Sequence, residues 1–341
     1  MKKATSIGRL LLLNLSIWLA LELIAMLFLS ASTAPQQIDS TLAQKDDKSW
    51  IVQTRLSFDG GLYRWDEHCF WRLAPNYRGR EGASHFWGNA TLSLNEEGMR
   101  SAALQPDRRR ILVLGGSHPM GMYVKAGSVY SAALEKLLNG EQGTRWQVLN
   151  AAAPGYTSYQ GLQYLQHVGL TFKPEIVIFD LGVNDGLALT PEFSQPDHLI
   201  KLPPEWAVQT SSILEFSAIF KLFRHWLRDD VPKIQGVRVP PEEHKNNLDA
   251  ALALAREHGI HLLFVSQARF DLYGSKKIQC IYSEQDRSPL IDVCALWASK
   301  GETAASYFAD PIHANAKGHQ LIADTVYNKL KTLGWLAQRG R

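Results

Sequence analysis

Short unbroken apolar runs alternate with amphipathic segments from Arg110 to the end of the chain. "RILVLGG" (110–116) precedes "SVYSAALEKLLN" (128–139), in which Val129, Ala133, Leu134 and Leu137 share one helical face behind a Ser128 cap. "WQVLNAA" (146–152) leads to a second helix carrying Leu162, Leu165 and Val168. "EIVIFDLG" (175–182) is a third buried strand and "IHLLFVSQ" (260–267) a fourth, the latter behind a helix with Leu248, Ala251, Leu252 and Ala255 on one side and Gly259 at its end. A last helix starts near Asn315, keeps Ile322, Val326, Leu330 and Leu333 together, and stops at Gly334. Strands that are continuously apolar, each followed by a helix, predict an α/β fold. Its parallel sheet has about five strands and helices on both faces, with reactive groups gathered at the carboxyl ends of the strands.

Two stretches break this alternation. The insertion at about 187–240 holds one strongly apolar helix candidate, "SSILEFSAIFKLFRHWLRDD" (211–230). Its stripe of Ile213, Phe216, Phe220, Phe223 and Leu227, widened by Leu214, Ala218, Leu222 and Trp226, suits a core helix, a substrate lid or a membrane-touching helix. At the other end, residues 10–30 are apolar enough to cross a membrane, since twenty residues of helix rise about 30 Å, the thickness of a bilayer's hydrocarbon core. Lys2, Lys3 and Arg9 lie only on the N-terminal side, so residues 1–9 are expected in the cytoplasm and everything after residue 30 outside. The small residues of "SASTA" (30–34) keep cleavage of a signal peptide, and hence secretion, as the rival reading. Glu22 inside the span reads either as a functional intramembrane group or as a partnered carboxylate. Residues 31–49 are polar and breaker-rich, a linker, and 50–109 carry aromatics without periodicity, an extension of loops and short strands packed on a main domain at 110–341.

Charge and cysteines narrow the chemistry. Lys+Arg 36 against Asp+Glu 33 gives a net charge of +3, which offers no electrostatic footing for nucleic acid. Three cysteines in an exported chain invite a disulfide; Cys280 and Cys294 are close enough to close a modest loop, leaving Cys69 over. No C-x-x-C spacing supports a structural zinc, and neighbours in "WDEHC" (65–69) point to alternate sides and cannot share one metal. Arg108, Arg109 and Arg110 read as a solvated strand flank or a patch for an anionic substrate. Trp65, Trp71 and Trp87 with Tyr63 and Tyr77 read as a sugar-stacking platform or as aromatics closing a core.

Four short segments sit just past predicted strands. Ser117 follows Gly115 and Gly116, where the chain must turn sharply and the glycines let a hydroxyl project at the sheet edge. Serine needs a positioned base. Adjacent His118 would diverge and reads as a pocket wall or surface group, whereas Asp310 and His313, expected to leave a fifth strand, reach the same edge. The Gly155 amide of "NAAAPGY" and the Asn184 side chain of "LGVNDG" join the Ser117 amide as donors for a developing oxyanion, each such donor worth about 3 kcal/mol of transition-state stabilisation.

Taken in order, "GGSHPMG", "APGY", "GVND" and "DPIH" resemble the four blocks of the SGNH hydrolase superfamily, the GDSL esterases, over about residues 110–333. "FWRLAPNYRG" and "LNEEGMRS" are similar to the lead-in of its membrane-anchored bacterial members and extend the likeness to Tyr63. The resemblance implies a three-layer α/β/α sandwich and a Ser117, Asp310, His313 triad with Ser117, Gly155 and Asn184 as oxyanion hole. It implies neither metal nor cofactor. The expected substrate is an acetyl or other short acyl ester on a cell-envelope or extracellular carbohydrate. The expected place is a bacterial inner membrane, facing the periplasm or the exterior. Water as the second nucleophile makes the protein an esterase; a sugar hydroxyl makes it an O-acyltransferase. Gly116 stands where the family name has Asp, which keeps open a third reading: a non-catalytic glycan-binding or polysaccharide-assembly subunit.

Overall fold

The computed structural model describes residues 13–27, 61–79, 92–140, 145–189, 195–202, 204–206, 217–220, 222, 235–270, 278–281 and 289–337. The chain divides into two units, Met1–Asp59 with Thr190–Glu192 and Pro203–Ile234, and Gly60–Leu189 with Phe193–Leu202 and Gln235–Arg341. In the first unit, residues 13–27 form a helix that leaves Leu13, Ile17, Trp18, Leu21 and Met26 exposed. Glu22 and Ala25 are buried, and the Glu22 carboxylate accepts the Ser217 hydroxyl at 2.5 Å and the Ala218 amide at 2.6 Å, a partnered carboxylate rather than a bare one. Among the described residues no helix is long and apolar enough to cross a membrane. The linker and most of the 211–230 stripe lie outside the described residues.

The second unit is built on a five-stranded parallel sheet. Its strands are β3 (Arg109–Gly115), β4 (Trp146–Asn150), β5 (Ile176–Asp180), β6 (His261–Val265) and β9 (Leu290–Ile291), in the order β4-β3-β5-β6-β9. Before them comes the hairpin β1 (Tyr63–Asp66) and β2 (Phe70–Leu73). Between β6 and β9 lies a second hairpin, β7 (Gln267–Phe270) and β8 (Ile278–Ile281). The first four sheet strands are the four predicted ones. Helices α2 (Tyr130–Gly140) and α6 (Ala316–Thr332) cover one face, where Leu134, Leu138, Ile322, Val326 and Leu330 meet Ile111, Val113, Val148, Ile178 and Leu263. Side chains of successive strand residues alternate, so the other face is left to α3 (Ser158–His167) and α4 (Pro241–Glu257), which pack on each other. Burying each such leucine or isoleucine contributes about 1.5–3 kcal/mol. A Thr157/Gln160 capping box starts α3, and the Asn315 side chain caps α6 by accepting the Lys317 and Gly318 amides.

One expectation is corrected. No strand runs into Asp310: the fifth strand is β9, and the residues before Asp310 are a 3-10 turn, Gly301–Tyr307, with α5 (Val293–Ala298) upstream. A lone bridge between Phe308 and Ala314 replaces strand pairing there and folds Asp310 and His313 into a tight loop.

Candidate active site

Strand order reverses around β3, whose neighbours are β4 on one side and β5 on the other, and a crevice opens at the carboxyl ends where such a reversal occurs. Ser117 stands at that crevice as the first residue of a one-turn helix, α1 (Ser117–Met120), ended by Gly121 at φ 83°. The turn is tight enough to need its glycines. A Cβ on Gly115 would lie 2.6 Å from the Asp180 carbonyl oxygen, and one on Gly116 would lie 2.7 Å from Asn184 Nδ2. Gly116, the departure from the family's Asp, is thus what lets the Asn184 amide pack directly on the serine turn.

His313 Nε2 lies 2.7 Å from Ser117 Oγ, and His313 Nδ1 lies 2.6 Å from Asp310 Oδ2. The other Asp310 oxygen accepts the amides of Ile312 and His313 at 2.8 and 2.7 Å. Burial alone would push the Asp310 carboxyl up. The His313 ring, its charge and the two amides outweigh that and hold it below its ordinary 3.8. The carboxylate therefore stays ionised, keeps the proton of His313 on Nδ1, and leaves Nε2 to accept from the serine.

Asn184 and the turn of Gly155 and Tyr156 lie against the serine turn, where Gly116 faces Asn184 Nδ2 and the Tyr156 carbonyl. Asn184 Nδ2 gives one N–H to the Tyr156 carbonyl at 2.9 Å, which leaves the second N–H for a ligand. Gly155 sits at φ 81° in the turn after β4. Its carbonyl accepts Arg238 Nη1 at 2.8 Å, and Arg238 is itself locked in a buried pair with Asp197 at 2.8 Å. Asp185 secures the neighbouring loop: it takes the Ser158 amide at 2.8 Å and hydroxyl at 2.5 Å and His244 Nδ1 at 2.7 Å.

Several supports gave no sequence signal, because they depend on groups far apart in the chain. Buried Arg100, in the lead-in, donates to the Met120, Gly121 and Val124 carbonyls at 2.8, 2.6 and 2.7 Å and so clamps the end of α1. Burial lowers its guanidinium to about 10. Tyr123 packs edge-on against the His313 ring, centroids 5.6 Å apart, from a backbone at φ 66° that tyrosine rarely adopts. The Tyr156 hydroxyl donates to the Trp71 carbonyl at 2.6 Å, so the β1/β2 hairpin braces the Gly155 turn.

The remaining candidates stand outside the hydrogen-bonded chain of Ser117, His313 and Asp310. Trp71 is fully buried, closing a core instead of offering a sugar platform, and Trp87 lies outside the described residues. Asp66 of "WDEHC" accepts the His68 and Cys69 amides and Arg72 Nε. Cys69 is buried, which pushes its thiol well up, and Cys280 and Cys294 are joined in a disulfide with Cα atoms 5.4 Å apart. Arg109 pairs with Glu175 and Arg110 donates to the Phe172 carbonyl, both at the opposite end of the sheet from Ser117. His118 is buried, with Nδ1 3.7 Å from Asp180 Oδ2 and its ring stacked on His319, so it is a wall of the crevice and not the base.

A model of the GDSL-like Lipase/Acylhydrolase family matches residues 113–321, more than half of the chain. The chain belongs to this family. It is 39% identical over 77 residues to thioesterase 1/protease 1/lysophospholipase L1 of Escherichia coli K12, a match covering 23% of this chain and 35% of that protein's length. Among solved structures it resembles TesA, with 21% identity, TM-score 0.42, and coverage of 66% of this chain and 99% of that one. It also resembles the psychrotrophic esterase EstA from Pseudoalteromonas sp., with 18% identity, TM-score 0.41, and coverage of 66% and 98%.

Proposed function

We propose that this GDSL-family protein is a serine-dependent carboxylic-ester hydrolase acting through an acyl-enzyme. The observation that carries the reading is the unbroken hydrogen-bonded chain from Ser117 through His313 to Asp310. Ser117 Oγ attacks the ester carbonyl carbon as its proton passes to His313 Nε2, and the carbonyl π electrons move onto oxygen. That oxyanion is held by the Ser117 and Gly155 amides and Asn184 Nδ2. It collapses as His313 returns the proton to the departing alkoxide. Water then attacks the acyl-enzyme with His313 again as base, releasing the carboxylic acid and restoring the serine.

The substrate we assign is an acetyl or other short acyl ester of a cell-envelope or extracellular carbohydrate. Residues 10–30 anchor the protein in a bacterial inner membrane with the catalytic unit on the periplasmic side. The anchor reading is supported by the apolar run, by the exposed apolar side chains of residues 13–27 and by the one-sided basic flank. Hydrolysis is preferred to acyl transfer because the matching family is one of lipases and acylhydrolases. The test is fluorophosphonate labelling of the full chain in detergent beside a Ser117→Ala variant, with p-nitrophenyl acetate turnover read in parallel. Labelling and turnover that disappear together in the variant support the reading. A folded wild type that neither labels nor turns over refutes it and returns the non-catalytic binding subunit to the front. Transfer of acetyl to an added oligosaccharide faster than to water would redirect the assignment to an O-acyltransferase.

A further inference from the structure

A small apolar cleft lies among residues next in the chain to the proposed machinery. Three of its wall residues are chain neighbours of the proposed machinery: His118 follows Ser117, Val183 precedes Asn184 and Ile312 precedes His313. The far wall is Ala268 of β7 with Val293 and Trp297 of α5, and Gln267 closes the floor. The Gln267 amide in this lining is committed away from the cleft. Gln267 accepts the Val183 amide at 2.6 Å and donates to Asp180 Oδ1 at 2.7 Å, and His118 turns Nδ1 toward Asp180. The enclosed space admits a group only about the size of one water molecule, close to the size of a methyl.

The far wall has an unusual tether. Ala268 pairs across the β7/β8 hairpin with Cys280, and Cys280 is bridged to Cys294, the residue after Val293 and one turn before Trp297. The hairpin is a two-stranded sheet of its own, a unit that is marginal without support. The bridge thus ties both sides of the far wall to each other.

We propose that this cleft receives the acyl group of the substrate, and that the Cys280–Cys294 bridge, by fixing Ala268 against Val293 and Trp297, limits that group to acetyl. The inference rests on the ester-hydrolase reading and adds its acyl specificity. A butyryl chain carries two more methylenes than the enclosed space admits. One methylene too many in a shaped apolar pocket costs about tenfold or more in kcat/KM.

The experiment compares kcat/KM for p-nitrophenyl acetate, butyrate and octanoate on the full chain. Four forms are compared: oxidised wild type, wild type reduced with dithiothreitol, the Cys280→Ser/Cys294→Ser double variant, and Ala268→Val. Circular dichroism checks folding in each. Expected are an acetate preference of about tenfold or more over butyrate in the oxidised protein, loss of most of that preference when the bridge is absent, and reduced acetate turnover in Ala268→Val, where the added methyls occupy the cleft. Should the double variant not fold, Val293→Ala, which widens the same wall, is expected to shift preference toward butyrate. A preference that is the same with and without the bridge in folded protein overturns the role of the disulfide. Acetate turnover untouched by Ala268→Val overturns the cleft as acyl site. Absence of Ser117-dependent turnover with every ester overturns the ester-hydrolase reading itself, which is a different result.

Discussion

Restoring the family's aspartate at position 116 is expected to damage this protein. A Cβ there would stand 2.7 Å from Asn184 Nδ2, whereas an unstrained carbon contact needs about 3.4 Å or more. The Asn184 amide must retreat by about 0.7 Å, yet it is pinned from behind by the Tyr156 carbonyl at 2.9 Å, and its loop is pinned by Asp185 through Ser158 and His244. Displacing one oxyanion donor costs about 2.7–4 kcal/mol of transition-state stabilisation, a loss of about 10² to 10³ in kcat. Gly116→Ala carries only the methyl and isolates the steric effect; Gly116→Asp adds a carboxylate beside the developing oxyanion and is expected to be worse. The assay is kcat and KM for p-nitrophenyl acetate with a thermal melt of each variant. The expected pattern is a loss concentrated in kcat with KM within a few-fold of wild type. Turnover of either variant within threefold of wild type would refute the account of Gly116, since the asparagine would then have moved without consequence.

Other perturbations follow from the same geometry. In Asp310→Asn, the Ile312 and His313 amides demand the carbonyl oxygen, so the new NH2 faces His313 Nδ1 and leaves the ring proton on Nε2. A fall in kcat of about 10³ to 10⁴ is expected, and one below tenfold contradicts this orientation argument. Arg100→Ala strips three carbonyls at the end of α1 of their donor and should cost about 3 kcal/mol or more in urea unfolding; an unchanged midpoint would show that the clamp is dispensable. Burial, with the charges of His118, Arg100 and His313, pushes the His319 imidazole well below its ordinary 6.5. The folded ring therefore stays neutral where the unfolded one takes a proton, and stability falls as pH drops from about 7 to 5, by up to about 1.4 kcal/mol per pH unit. His319→Gln should flatten that slope by about one proton; parallel Tm–pH curves for variant and wild type would remove His319 from the account.

The sheet was legible in the chain because a parallel strand buried on both faces must be apolar at every position. "ILVL", "IVIF" and "LLFV" have no other comfortable place. The Ser117, Gly155 and Asn184 blocks were legible for a related reason: they follow β3, β4 and β5 within two to five residues, where loop chemistry collects at the carboxyl edge. The loop of Asp310 and His313 was placed at the same edge by its own residues, but on the wrong lead-in. A 3-10 turn with one isolated bridge has no periodic signature, so a strand was expected where Gly301–Tyr307 coils.

The short pairing of β9 and the β7/β8 hairpin were equally silent, since two to four residues are too few to declare a period. What tertiary structure alone decided is the precision of the crevice. Arg100, Arg238, Asp185 and Tyr156 act on atoms about 20 to 85 positions away, and only the folded backbone brings acceptor and donor within 3 Å. Gly116 shows the division most plainly: in sequence it reads as a missing carboxylate, and in the folded chain it is the space that the Asn184 amide occupies.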